Sequence, residues 1–219
     1  MLVQEQVFPT TQERSMYLFV RRSTRLIAVA IPVILGGLTT AAANRSRNVA
    51  AATTEGSATN GVRLRVSLGQ RRLVVEDGGQ VVREYGVAIG LPSHPTPRGQ
   101  FTIRKMIWNP GWVPPKNRKW ARGKQPRQPG DPNSPMQAVK IFFREPYYYI
   151  HGTNDPKSIG AAASRGCLRM TPEDAAELGA YLMERGGQPR EESWFRRIFR
   201  FGQSTVIYLN NPVPMTIAA

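Results

Sequence analysis

Alternating apolar and polar residues predict short β-strands from about Gly61 onward. Every second residue from 62 to 66 is valine or leucine with arginine between, and strand-like patterns continue through 72–76 and 80–89. A period of two places successive side chains on opposite faces of a strand, one of which is buried. The sequence therefore predicts a β-rich domain that begins near Gly61.

Further strands are predicted at 101–103, 140–150 and 204–209, where β-branched and aromatic residues are frequent. The stretch 109–135 differs from them, because it is rich in proline, glycine and cations and has no periodicity. A segment of this kind in a compact domain is usually a functional or mobile loop. We therefore expect a long surface loop between two strands.

Two helices are predicted in the C-terminal third. Segment 171–186 opens with a threonine, a proline and two acidic residues and closes with Arg-Gly, which are helix start and stop signals. Segment 191–201 places Trp194, Ile198 and Phe201 on one face and arginines largely elsewhere. We interpret the second helix as packed on the sheet with a solvated basic face.

The first 43 residues have the order of a secretory signal. Arginines between 21 and 25 precede an apolar run at 26–38, and small residues follow up to the three alanines at 41–43. Cleavage is predicted after the last alanine. A start at Met16 would give a signal of more usual length, and an uncleaved N-terminal membrane anchor is the alternative.

Four parts follow from this pattern. The signal, 1–43, is followed by a polar linker, 44–60, a single domain, 61–212, and a short tail, 213–219. Export would place the domain in the periplasm or cell envelope. Membrane contact is then expected only through an uncleaved N-terminal segment.

The charge of the chain indicates an anionic partner. Thirty basic and 15 acidic residues give 219 residues a net charge of +15. Such a charge attracts nucleic acid, an acidic membrane surface or an anionic cell-wall polymer, without choosing among them. Because export separates the protein from nucleic acid, no nucleic-acid partner is expected.

Cys167 is the only cysteine, so it forms no disulfide within the chain. Gly166 allows close approach to the sulfur, and Arg165 and Arg169 favour a thiolate. A cysteine nucleophile needs a base, and His151 is a stronger candidate than His94, which stands in a turn. The alternative is that the cysteine is a small buried apolar residue.

Cofactor signals are missing from the sequence. One cysteine and two separated histidines give no metal ligand set, and no glycine-rich phosphate loop precedes a helix. No metal and no other cofactor are therefore predicted.

Three segments resemble one known family. HGTNDPKSIGAAASRGCLRM, at 151–170, resembles the signature of the L,D-transpeptidases of the YkuD or ErfK type; TPRGQFTI, at 96–103, and NPGW, at 109–112, match further features. The resemblance covers about 61–211. It implies a mainly β domain, an antiparallel β-sandwich or barrel-like fold with a short helix after the catalytic cysteine.

The resemblance also implies a mechanism and a substrate class. Cys167 would be the nucleophile, His151 the general base, and the backbone carbonyl of Gly152 would orient the imidazole. The thiolate would attack the third-residue carbonyl of a peptidoglycan stem tetrapeptide and release D-alanine. The thioester would pass its acyl group to an amine of another stem peptide or of an envelope protein.

Neighbouring residues would bind the substrate. Backbone amides of Arg165, Gly166 and Cys167 would hold the oxyanion, and Ser164 and Arg169 would order the turn and contact substrate carboxylates or carbonyls. Purely local hydrogen bonding by these two side chains is an equal alternative. The family often has histidine where this chain has Arg165, which affects substrate detail more than activity.

Other functions stay open at this point. Water as acceptor would make the protein an L,D-carboxypeptidase of the cell wall. Another exported cysteine peptidase is a second alternative, although in the NlpC/P60 type the cysteine precedes the histidine. A third is a non-catalytic, basic wall-binding protein, since cations and tryptophans between 104 and 127 suit binding. The sequence does not identify the acyl acceptor.

Overall fold

The computed structural model describes residues 61–116 and 118–219, and this part of the chain is mainly β. Its strands are β1 (Arg63–Ser67), β2 (Arg72–Asp77), β3 (Gln80–Gly86), β4 (Ile89–Gly90), β5 (Gly99–Trp108), β6 (Gln137–Arg144), β7 (Tyr148–Gly152), β8 (Ala162–Ser164), β9 (Leu168–Met170) and β10 (Thr205–Ala218). The α-helices are α1 (Pro172–Arg185) and α2 (Glu192–Arg200), and Lys119–Ala121 and Pro156–Ser158 form single 3₁₀ turns.

Eight of these strands form one curled sheet in the order β3-β2-β1-β10-β5-β6-β7-β9. Neighbours are antiparallel except for the parallel pairs β1–β10 and β7–β9. Ala88, just after β3, exchanges two backbone hydrogen bonds of 2.9 and 3.0 Å with Arg169 of β9. The two edges therefore meet and the sheet is nearly closed, so the prediction of a mainly β, barrel-like fold is confirmed.

The predicted signal, 1–43, and linker, 44–60, lie outside the described residues. Within the described part, neither helix is long and apolar enough to cross a membrane.

Helix α1 packs on β6 and β7 and follows its predicted boundaries. The Thr171 hydroxyl accepts a 3.1 Å hydrogen bond from the Asp174 amide, and the amide of Gly186 donates to Leu182 at the other end. Leu178 and Leu182 are fully buried. The helix thus covers one face of β6 and β7 and leaves their other face for the site.

Helix α2 lies where it is predicted, but its apolar face differs at one end. Phe195 and Ile198 are buried, whereas Phe201 is 63% exposed. The helix ends at Arg200, so Phe201 follows the last helical residue and leaves the apolar stripe. Trp194 joins the core edge-on to Trp108, at a ring distance of 6.2 Å.

The predicted tail, 213–219, forms most of the second half of β10. This strand runs to Ala218 and pairs with both β1 and β5. Two prolines, at 212 and 214, hide the strand signal because proline lacks the N–H that a ladder uses. A register shift between Tyr208 and Val213 accommodates the first proline.

Replacing Met215 with alanine is expected to lower the free energy of unfolding by about 2–5 kcal/mol, because a fully enclosed side chain leaves a cavity. Met215 is 1% exposed, whereas its neighbour Thr216 points to solvent on the same strand. Urea unfolding followed by circular dichroism measures the effect. Thr216→Ala is the matched control, and equal losses in both variants would contradict a core role for the tail.

Candidate functional site

The candidate site lies on the face of β6, β7 and β9 opposite α1. Strand register pairs His151 of β7 with Lys140 of β6 on one side and with Arg169 of β9 on the other. Because side chains alternate, Tyr149 shares the face of His151, and Cys167 shares that of Arg169. On the opposite face of the same strands, the neighbouring residues are fully buried in the core: Ile141, Ile150 and Leu168.

His151 is buried and held by its own backbone neighbour. Its Nδ1 lies 2.8 Å from the carbonyl oxygen of Gly152, and since a carbonyl only accepts, Nδ1 carries the proton. Nε2 is therefore the nitrogen that can accept a proton. The Gly152 carbonyl thus fixes the orientation of the imidazole.

Burial lowers the pKa of His151 to about 3. The charges of Arg169 and Lys140 act in the same direction, and the carbonyls of Gly152 and Pro135, which favour the protonated ring, oppose them. The imidazole is thus neutral at physiological pH, which is the state required of a base.

Gly152 is required by packing. A Cβ at this position would lie 2.7 Å from the carbonyl oxygen of Gln137 and 2.9 Å from Cα of Pro172. The backbone that carries the orienting carbonyl is therefore clamped between β6 and the first turn of α1.

Cys167 is partly buried directly before β9. Its thiol donates a 3.4 Å hydrogen bond to the carbonyl oxygen of Tyr147, and the phenol of Tyr149 is near enough to influence the pKa of the thiol. The sulfur thus lies beside the strand that carries His151.

Burial raises the pKa of the Cys167 thiol above its usual value. Backbone and side-chain hydrogen bonds from Tyr149 and the charges of Arg169 and Lys140 act against this rise. The sequence predicts a thiolate favoured by arginines on both sides, but only Arg169 acts in this way. The Arg165 guanidinium instead lies 4.2 Å from the ring centroid of Trp120. In the resting site the thiol therefore keeps its proton.

Ser164 organises the turn before the cysteine. Its buried hydroxyl donates to the carbonyl of Cys167 at 2.5 Å and accepts from the amide of Gly166 at 3.1 Å. Gly166 has φ = 105°, and a Cβ there would lie 2.6 Å from Cε1 of Tyr148. Because the amide of Gly166 is engaged within the turn, it is not free to bind an oxyanion. Of the three amides expected to bind the oxyanion, those of Arg165 and Cys167 remain candidates.

The long loop reaches this turn through Trp120. The loop runs between β5 and β6, and the backbones of Trp112 and Arg127 pair across it with two 2.8 Å hydrogen bonds. Trp108 and Trp112, two of the tryptophans that the sequence offers for wall binding, are 1% and 8% exposed and are buried in the core instead. Trp120 is thus the tryptophan next to the site.

Two residues of the site, Lys140 and Tyr149, are missed by sequence reasoning. The Nζ of Lys140 lies 3.3 Å from the carbonyl oxygen of Gly111 and 5.3 Å from the ring centroid of Tyr149. Tyr149 could have been found from strand alternation, since it stands two residues before His151. Lys140 could not, because only the β6–β7 register brings it there. His94 is exposed, and its ring is hydrogen-bonded to Ser93.

Acid stability is expected to depend on His151. An unfolded imidazole binds a proton near pH 6.5, whereas the buried one stays neutral to about pH 3. Between these values the unfolded state binds more protons, so the free energy of unfolding falls as pH falls, by about 1 kcal/mol per pH unit. Urea unfolding between pH 7.5 and 5 measures this slope. The pKa of Glu76 is also lowered, mainly by its hydrogen bond to Arg63, but its effect on stability begins only near pH 4.5.

His151→Gln is expected to remove most of that slope, because glutamine does not titrate. His94→Gln, which replaces the other histidine, should retain the slope of the free energy of unfolding against pH. A slope that persists unchanged in His151→Gln would contradict a buried neutral imidazole.

The family model of the L,D-transpeptidase catalytic domain (YkuD) matches residues 61–189. The putative L,D-transpeptidase YkuD of Bacillus licheniformis is 35% identical over 120 residues, which are 55% of this chain and 59% of that protein. Its namesake in Bacillus subtilis is 32% identical over 117 residues, covering 53% and 58%. The chain thus spans somewhat over half the length of these relatives.

A solved structure of an L,D-transpeptidase from Mycobacterium smegmatis aligns with 73% of this chain and 59% of its own, at 16% identity and a TM-score of 0.46.

Proposed function

Because this chain belongs to the L,D-transpeptidase catalytic domain family, we propose that it is a peptidoglycan L,D-transpeptidase that uses Cys167 as nucleophile. The observation that carries the proposal is the register of β7 and β9. It puts the chain's one thiol, directly before β9, on the same face as a buried neutral imidazole of β7. A nucleophile beside a base oriented by a third group is the arrangement that covalent catalysis requires.

In the first half-reaction Nε2 of His151 takes the thiol proton, and Sγ bonds to the third-residue carbonyl carbon of the stem tetrapeptide. The tetrahedral intermediate then collapses, the bond to D-alanine breaks, and the departing amine takes the proton from His151. A thioester on Cys167 results. The backbone amides of Arg165 and Cys167 bind the oxyanion; one such donor is worth about 3–4 kcal/mol.

In the second half-reaction an amine attacks the thioester. His151 removes a proton from the attacking amine and returns it to the sulfur, so that the free thiol is restored as the new amide forms. A stem-peptide amine gives a cross-link, and an amine of an envelope protein gives an attached protein.

The charges of the site support an anionic acyl donor. Lys140 and Arg169 act on Cys167, and Arg165 lies exposed at the turn. Stem peptides carry free carboxylates, which guanidinium groups bind through two parallel hydrogen bonds. Peptidoglycan stem peptides are therefore the proposed substrates. Export to the cell envelope belongs to this proposal and rests on residues 1–43.

Intact-mass spectrometry of residues 44–219 incubated with diaminopimelate-containing tetrapeptide muropeptides tests the proposal. We expect release of alanine and an acyl adduct that peptide mapping places on Cys167. Dimeric product indicates cross-linking, and tripeptide indicates hydrolysis. A folded, reduced protein that forms neither adduct nor product would refute the proposal. Protein blocked at its thiol with iodoacetamide is the control.

A further inference from the structure

Tyr149 contacts both members of the proposed catalytic pair, although it lies outside the segments that carry the family resemblance. The register of β7 and β9, which pairs Ile150 with Leu168, sets Tyr149 beside Cys167, and the phenol and the thiol shift each other's pKa. Its ring meets the imidazole of His151 edge-on, with 5.5 Å between ring centroids. Lys140 and Arg169 act on the same two groups through their charges, whereas Tyr149 is an uncharged neighbour of both.

We propose that Tyr149 is a catalytic residue whose phenol O–H donates a hydrogen bond to the Cys167 thiolate. Lys140 is a positioning residue for the Tyr149 ring. The inference rests on the proposed function for its role in turnover, but the hydrogen bond to sulfur is independent of any substrate.

Three neighbours hold the Tyr149 ring in place. Phe142 packs edge-on at 5.2 Å and His151 at 5.5 Å between centroids, and the Nζ of Lys140 lies 5.3 Å from the ring centroid. Lys140 is itself tethered by a 3.3 Å hydrogen bond to the carbonyl oxygen of Gly111. A side chain restrained in this way holds its hydroxyl at a defined position, which catalysis requires.

The chemistry of the phenol suits a donor rather than an acid. Burial, with a further contribution from Cys167, raises the pKa of Tyr149 well above its usual value. The phenol therefore keeps its proton when the thiolate forms and can stabilise that charge by hydrogen bonding. It acts with His151: the imidazole removes the proton and the phenol stabilises the sulfur anion that remains.

The other titratable or charged groups near the thiol come from β6, β7, β9 and the neighbouring loops. Lys140 from β6 and Arg169 from β9 contribute positive charge, and His151 from β7 is neutral. Asp155 acts on Arg169, and Arg165 of the turn stacks on Trp120. Tyr149 is thus the uncharged donor among cations, and its removal should leave their charges in place.

Alkylation of Cys167 by iodoacetamide at different pH values tests the proposal on the folded protein. One cysteine in the chain makes the mass shift unambiguous. In Tyr149→Phe we expect the rate at pH 7.5 to fall about tenfold and the profile to move about one pH unit upward, since only thiolate reacts. Tyr208→Phe, an exposed tyrosine of β10, is the matched control and should follow the wild-type profile.

Lys140→Met keeps the phenol but removes the charge and its tether, and we expect a smaller shift in the same direction. An unchanged profile in a folded Tyr149→Phe variant overturns the proposal, as does an equal shift in Tyr208→Phe. If Tyr149→Phe loses its cooperative thermal transition, Phe142→Leu decides, because it loosens the Tyr149 ring without changing any charge: an upward shift supports the proposal and an unchanged profile overturns it.

Turnover of tetrapeptide separates this inference from the proposed function. In Tyr149→Phe we expect kcat to fall about tenfold with KM nearly unchanged, because the donor acts on the thiolate and not on bound substrate. A wild type that alkylates as expected but does not process tetrapeptide would refute the proposed function alone. An equal kcat in wild type and Tyr149→Phe would overturn the catalytic role of the phenol.

Discussion

Cys167→Ala is expected to abolish formation of the acyl-enzyme and to lower D-alanine release by on the order of 10⁶-fold, the scale of loss when a covalent nucleophile is removed. Residual turnover would have to use water directly, without the thioester that divides the reaction into two steps. Intact-mass spectrometry and quantification of released alanine measure the two effects.

The fold of Cys167→Ala should be intact, because the thiol is small and only partly buried. A thermal transition close to that of the wild type is the control, since a change of this kind usually costs about 1 kcal/mol or less. Cys167→Ser, which keeps a weaker nucleophile, should retain at most a trace of acyl-enzyme. Undiminished alanine release from a folded Cys167→Ala variant would show that another group carries the chemistry.

His151→Gln is expected to lower kcat by about 10²–10⁴-fold, the usual contribution of a general base. The loss should be large because burial raises the pKa of the thiol, so that the resting sulfur is protonated and cannot attack unaided. Steady-state release of D-alanine measures it. Glutamine preserves a donor for the carbonyl of Gly152 while removing the basic nitrogen.

His94→Gln is the matched control and should retain wild-type kcat, because His94 is exposed and bonded to Ser93. In the wild type the acidic limb of kcat/KM should lie well below pH 6.5, since His151 stays neutral to about pH 3. Equal rates for the two histidine variants, or an acidic limb near pH 6.5, would argue against His151 as the buried base.

Strand prediction from the sequence worked where burial is one-sided. Segment 62–66 alternates because one face of β1 is core and the other solvent, and Leu64 is 1% exposed. It failed in β10, where prolines interrupt the local signal and pairing with two neighbouring strands supplies the stabilisation. Local patterns do not contain that tertiary contribution, which is why the predicted strand ended at 209.

For the site, too, the sequence indicates some features and not others. The interval between His151 and Cys167 carries the family resemblance, so both residues could be named from the sequence. The electrostatics could not, because charge near a thiol in sequence is not charge near it in space. Arg165 adjoins Gly166 in the chain, yet its guanidinium lies over Trp120, whereas Lys140 is far away in sequence and acts on the sulfur.

By itself, the sequence determined the mainly β class and the two helices, with the caps of the first, and it led to the proposed nucleophile, base and turn. These follow from local periodicity, capping chemistry and a specific pattern of residues. Only the tertiary structure decided that Tyr149 and Lys140 join the site and that burial raises the thiol pKa above its usual value. It also decided that the Gly166 amide is engaged by Ser164. Each of these depends on strand register and on exclusion of water, which are properties of the packed sheet and not of any one segment.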